Sequence, residues 1–236
     1  MKYYETTNDE YLNKVNEINL HPEIQTLLDK INTEKYINIL FYGASGTGKY
    51  SQVLYLLKKY SNTNLKYFKK ITTSTDKQNY TYNISDIHYE IDMGLLGCHS
   101  KILWHEIFYQ IVDIISIKTN KIGFIVCYNF HLIHNELLEI FYSYVQQYSN
   151  INSLIKINFI IITENISFLP NSILNSFQII NVKRPSSYDY NNIIIKNTVN
   201  SIKIEELNNE NLNNFKKQIN NITQINKDNF NKNFSK

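Results

Sequence analysis

The chain has 236 residues, of which 43% are hydrophobic, 14% aromatic and 19% charged, with only 3 Pro and 6 Gly. That length buries one large core, or one domain with a small appendage. The aromatic and branched content excludes disorder over most of the chain, and so few Gly and Pro exclude a collagenous or linker-type protein. The formal net charge of +3 permits nucleic-acid contact without arguing for it.

Leu20, Ile24, Leu27, Leu28 and Ile31 recur at helical spacing in an N-terminal leader, with Pro22 near the helix start. Residues 37–42 (INILFY) predict a short buried strand. GASGTGKYS follows, and then a helix with Val53, Leu54, Leu56 and Leu57 on its apolar face. Residues 80–92 alternate Tyr or Ile with polar residues, the period of a half-buried strand or hairpin. Ser100 caps a helix whose stripe is Ile102, Trp104, Ile107, Ile111 and Ile115. IGFIVCY (122–128) is an apolar run of strand length, and NELLEIFYSYVQQY is a helix starting at His134 or Asn135. INFIIIT (157–163) and FQIINV (177–182) are further buried strands. Unbroken β-branched strands alternating with helices predict an α/β fold, a parallel sheet with helices on both faces. After Arg184-Pro185 the composition shifts. Residues 1–185 are read as the nucleotide-binding domain with its leader, and 186–236 as a small helical lid ending in a frayed Asn/Lys-rich tail.

The most specific motif is Gly43-Ala44-Ser45-Gly46-Thr47-Gly48-Lys49, a G-x-x-x-x-G-K loop between a predicted strand and helix. Its glycines let successive backbone N–H groups face phosphates, the helix N-terminus adds partial positive charge, and Lys49 reaches the β and γ oxygens. Residues 43–51 are therefore the candidate site for ATP or ADP. The next position departs from the pattern, because Tyr50 stands where a Ser or Thr hydroxyl would ligate Mg²⁺, and Ser51 comes one place later. One helical residue is a turn of about 100°, so Ser51 does not take over without a shift. The placement of Mg²⁺ is left open. A second departure is the strand 122–128, which ends in Cys127-Tyr128-Asn129 with no carboxylate. A third is arithmetic: Arg184 is the one arginine, beside 23 Lys, too few to furnish both a finger for a neighbour and a sensor.

The phosphate loop, the segment from Tyr82 to Ile115, the strand and helix over 122–148, and the segment 157–186 together resemble the small subunits of replication factor C, which are AAA+ ATPases of sliding-clamp loaders. The likeness runs over roughly residues 15–185 and is nearest to the subunit with a degenerate ATPase centre, as in Lys49-Tyr50-Ser51. It implies an AAA+ fold with a truncated lid. It implies too that the acidic Walker B pair falls on Tyr128 and Asn129, and that the sensor asparagine falls near Thr163, Glu164 or Asn165. The finger motif falls on Asn175-Ser176-Phe177, without arginine. The partners it implies are other clamp-loader subunits in a hetero-oligomer, with primer-template DNA and the sliding clamp engaged through the complex. Its helix start at Ser100 and Lys101 would face the DNA backbone, although a solvated cap explains the same two residues. The Asn, Ile, Lys and Tyr content follows A/T-rich codons and suits a giant DNA virus or an AT-rich parasite.

His131 and His134 beside Cys127 lack a second ligand pair, so they are read as loop and cap histidines and no metal ligand is assigned. Cys98-His99 is read as a structural loop, and Lys58-Lys59, Lys69-Lys70 and Lys216-Lys217 as solvated faces. The opening MKYYETTNDE has no signal-peptide pattern and no apolar run spans a bilayer, so the expectation is an intracellular protein of nucleus or cytoplasm without membrane association. The functional expectation is a clamp-loader-like subunit that binds ATP or ADP with weak or no hydrolysis and no assigned catalytic residue. The alternatives are an active P-loop ATPase or kinase of another branch, and an interaction module without nucleotide.

Overall fold

Apolar strands with no charge in them avoid water on both sides, so they gather at the centre of one sheet. The computed structural model describes residues 19–31, 38–74, 79–148, 154–186 and 189. Among them the strands are β1 (Ile39–Tyr42), β2 (Phe68–Ser74), β3 (Asn79–Ser85), β4 (His88–Asp92), β5 (Ile122–Tyr128), β6 (Lys156–Thr163) and β7 (Gln178–Asn181). Their spatial order is β2-β3-β4-β5-β6-β1-β7. The run β4-β5-β6-β1-β7 is parallel, and β3 and β2 extend it antiparallel. The helices are α1 (Pro22–Lys30), α2 (Lys49–Lys58), α3 (Ser100–Ile117), α4 (Asn135–Tyr148) and the single turn α5 (Asn171–Leu174).

Alternate residues of the parallel strands feed two cores, one on each face of the sheet. Ile39, Phe41, Val126, Ile160, Ile162 and Ile180 pack with Ile24 and Leu28 of α1 and Val53, Leu54 and Leu57 of α2. Leu40, Ile91, Ile125, Cys127, Phe159 and Ile161 pack with Trp104, Phe108 and Ile111 of α3 and Phe141 and Val145 of α4. The Trp104 and Phe141 rings lie 5.3 Å apart at the centre of that second layer. The expected α/β architecture, a parallel sheet with helices on both faces, is the observed one.

The expected strands and helices form within a residue or two of their predicted bounds. The alternating stretch 80–92 is two strands, β3 and β4, joined by a tight turn at Asp86-Ile87. β2 was not anticipated. FKKITTS carries no apolar alternation, because it is an edge strand whose Lys69 and Lys70 are exposed, and it exists through its pairing with β3 along its whole length.

The chain divides into two units, Met1–Pro185 and Ser186–Lys236. The expected lid and tail lie outside the described residues, apart from Ser186 and Asp189. No helix among the described residues is long and apolar enough to cross a membrane.

β1 lies between β6 and β7, and β6 separates it from β5. The C-terminal ends of β1, β5 and β6 therefore share one rim of the sheet. The connection leaving β1 runs toward the β2 side of the sheet and the one leaving β6 runs past β1 to β7, so the two diverge at that rim, where parallel α/β sheets form ligand crevices.

Candidate nucleotide-binding site

The phosphate loop leaves β1 at Gly43. Its amide donates to the Thr163 carbonyl at 3.3 Å, and next to it Val182 N–H donates to the Tyr42 carbonyl at 2.8 Å. Gly43 has φ 156°, and a Cβ there would overlap the Val182 carbonyl oxygen. Both atoms in that clash are held by the sheet, so neither yields cheaply. Gly43→Ala is expected to destabilise the protein by about 1–3 kcal/mol, read as a lower urea midpoint with unchanged slope. An unchanged midpoint would mean that β7 gives way freely.

Gly48 is the N-cap of α2 with φ 89°, a left-handed conformation that lets the loop turn into the helix. Thr47 Oγ1 donates to the Ala44 carbonyl at 3.0 Å, tightening the loop on itself. Lys49 Nζ donates to the carbonyls of Gly43 and Ala44, each at 2.7 Å. Burial pulls the Lys49 ammonium below its usual value, partly opposed by the charge of Glu164. The ammonium therefore sits on the loop's own carbonyls, ready to exchange them for phosphate oxygens.

Helix α1 is part of this construction. His21, 3% exposed, donates from Nε2 to the Thr47 carbonyl at 2.7 Å, so the start of α1 clamps the loop from outside. A histidine just before Pro22 was the only trace of this role in the sequence.

The loop opens into a cleft of about 320 Å³ lined by Ser45, Gly46, Thr47, Gly48, Lys49, Tyr50, Asn129, His131, Ile162, Thr163 and Glu164. Most of the candidate loop residues are thus brought together with Asn129 of the expected Walker B pair. Gly43 and Ala44 form the base of the loop. Ser51 is buried within α2 and is not among the lining residues. At the other candidate position, Ser100 is 1% exposed at the start of α3, while Lys101 faces solvent.

What the sequence did not reveal lies beneath Tyr50. Its hydroxyl donates to Glu90 Oε1 at 2.9 Å, and its ring stacks obliquely on Tyr128 with centroids 5.4 Å apart. The nearby Tyr128 hydroxyl also favours the ionised form of the same carboxylate. His88 Nε2 lies 3.1 Å from Glu90 Oε1, and Asn83 Nδ2 donates to Oε2 at 3.2 Å. A carboxylate only accepts, so His88 carries its proton on Nε2. Its Nδ1 is 2.5 Å from Ser85 Oγ. The side chains of β4 at 88, 90 and 92 and of β5 at 124, 126 and 128 share one face by parallel register, which delivers Glu90 to the two tyrosines.

Burial alone would raise the Glu90 carboxyl, but His88, then Tyr128 and Tyr50, hold it below its ordinary value. The folded value thus lies under that of the unfolded chain. The stability it supplies is complete above about pH 4.3 and is lost as pH falls through the lower folded value. Thermal melts are expected to drop more steeply from about pH 5 to about pH 3 for the wild type than for Glu90→Gln. Parallel curves would remove Glu90 from the acid response.

A P-loop fold implies Mg²⁺ next to the residue after the loop lysine, and the residues here do not fit it. Tyr50 and Tyr128 fill the expected hydroxyl and carboxylate positions with aromatic rings. Both Glu90 oxygens are taken. Asp92, at the end of β4, accepts from the Gly94 amide on Oδ1 and from Asn129 Nδ2 on Oδ2, each at 3.0 Å. No step through a metal is derived.

No protein-family model matches the chain, and no curated protein sequence does. Solved structures that resemble it include Caenorhabditis elegans PCH-2, at 16% identity over 79% of this chain and 45% of that one, with a TM-score of 0.43. The Thermotoga maritima RuvB Holliday junction branch migration motor matches at 12% identity over 74% of this chain and 46% of its own, with a TM-score of 0.42. A point mutant of the same RuvB matches at 12% identity over 80% and 52%, with a TM-score of 0.45. The chain spans about half the length of the solved structures it matches.

Proposed function

We propose that this chain is an AAA+ nucleotide-binding protein that holds ATP or ADP in the cleft of residues 43–50 with weak or no hydrolysis of its own, and that it serves as a clamp-loader-like subunit in DNA replication. The observation that carries the nucleotide reading is the loop itself: Lys49 rests on exchangeable carbonyls above an open cleft at the carboxyl rim of a parallel sheet. Weak turnover follows from the ends of β5 and β6. Asn129 lines the cleft where a general base would stand, and an amide takes no proton. Glu164, the one carboxylate among the described lining residues, is placed beside Lys49 and Thr163.

The clamp-loader role rests on the resemblance of residues 15–185 to small subunits of replication factor C. It makes the chain a hetero-oligomer subunit acting on primer-template DNA and a sliding clamp, with the AT-rich composition suiting a viral replication compartment. The test is to purify the native protein and identify the nucleotide and polypeptides that accompany it. Bound nucleotide together with sibling subunits carrying acidic Walker residues supports the reading. Brisk Mg²⁺-ATP turnover by the lone chain overturns the weak-hydrolysis part, and polypeptides unrelated to replication overturn the assembly part.

A further inference from the structure

We infer that this site binds its nucleotide without a divalent cation, the tyrosine pair and Glu90 having replaced the metal. The inference rests on the nucleotide-binding reading above and adds the ionic form of the ligand.

A metal beside the phosphates needs oxygen ligands with lone pairs to spare, held on the protein at its coordination distance. Three carboxylates are near enough to be considered, and each is spoken for or misplaced. Glu90 accepts on both oxygens and is 3% exposed behind Tyr50. Asp92 also accepts on both oxygens and does not line the cleft. Glu164 lines the cleft, but from the end of β6, and its charge acts on Lys49. The two aromatic rings, 5.4 Å apart, occupy the space between α2 and the end of β5. Opening that space would strip the buried Glu90 carboxylate of its Tyr50 hydroxyl donor, which is costly.

The positive charge that a metal would bring is supplied in part from elsewhere. Lys49 is the one lysine among the described lining residues, and the loop amides and the start of α2 add partial positive charge. His131 also lines the cleft, while its Nδ1 is buried away from solvent. A magnesium-bound nucleotide would have to shed its ion or hold it without a ligand from Tyr50, Tyr128, Glu90 or Asp92. Magnesium therefore leaves affinity unchanged or lowers it by competing for the free nucleotide.

The experiment is a titration of the full chain with a fluorescent ADP analogue in excess EDTA and again in excess Mg²⁺. The expected result is an affinity in EDTA equal to that in Mg²⁺ or tighter. Tyr50→Phe keeps the ring in place and is expected to keep that insensitivity. The pair Tyr50→Thr with Tyr128→Asp rebuilds a hydroxyl and a carboxylate, and, if it folds by circular dichroism, is expected to bind about tenfold more tightly with Mg²⁺ than without. Wild-type binding that Mg²⁺ tightens by about tenfold or more overturns the inference and leaves the nucleotide reading standing. Absence of binding in both conditions overturns the two together.

Discussion

Glu90→Ala is expected to cost about 3–5 kcal/mol of folding stability, the largest effect of any single change at the site. The substitution removes the common acceptor of Tyr50, His88 and Asn83 and leaves their donors in a largely buried region, His88 with no exposure at all. A domain of this kind is stable by about 5–15 kcal/mol in total, so the loss is a large share. Glu90→Gln keeps one acceptor oxygen for Tyr50 but turns an amide N–H₂ toward another donor, and is expected to cost about 1–2 kcal/mol. Urea unfolding of the two variants checks the order. If alanine costs no more than glutamine, the hydrogen bonds at Glu90 are not what holds β3, β4 and the start of α2 together.

The second large effect concerns the ligand. Lys49→Ala is expected to weaken ADP binding about 100-fold, close to 2.7 kcal/mol, the range of a charge-assisted hydrogen bond. The native fold should survive, since Gly43 and Ala44, whose carbonyls Lys49 now occupies, are part-exposed and those carbonyls can be met by water. Fluorescence titration of the variant, with a thermal melt as the folding control, decides it. Binding within about threefold of wild type would place the ligand somewhere other than this loop.

The two effects separate what one motif usually combines. In the reading proposed above, Lys49 and the loop amides are the gripping half of a phosphate site. Where a metal-positioning half would stand in that reading, Tyr50, Glu90 and His88 form a packed hydrogen-bond hub that ties β4 to the start of α2. Tyr50 belongs to both, since it lines the cleft with one face and ties down Glu90 with its hydroxyl. Its presence after Lys49 is therefore more than a lost ligand: it exchanges a metal contact for a structural one.

Much of this was legible in the linear chain. The period of two and the period of 3.6 report which side of an element is dry, and burial is what those patterns encode, so the parallel strands and the main helices could be read directly. The loop 43–49 was legible because phosphate binding by backbone amides needs glycines and a lysine at fixed local spacing. β2 was not legible, since an edge strand is held by main-chain pairing to β3 and leaves little mark on its side chains. His21 against Thr47, Asp92 against Asn129, and Glu90 beneath Tyr50 and Tyr128 were not legible either. The residues of each pair are 26, 37 and 40 positions apart for His21–Thr47, Asp92–Asn129 and Tyr50–Glu90, and no local periodicity records which strand lies next to which. Sequence alone determined the glycine-rich turn from β1 into α2. The order of the strands decided that the Glu90 carboxylate would be met by the Tyr50 hydroxyl and packed beside Tyr128, because contacts across a sheet depend on register between distant segments.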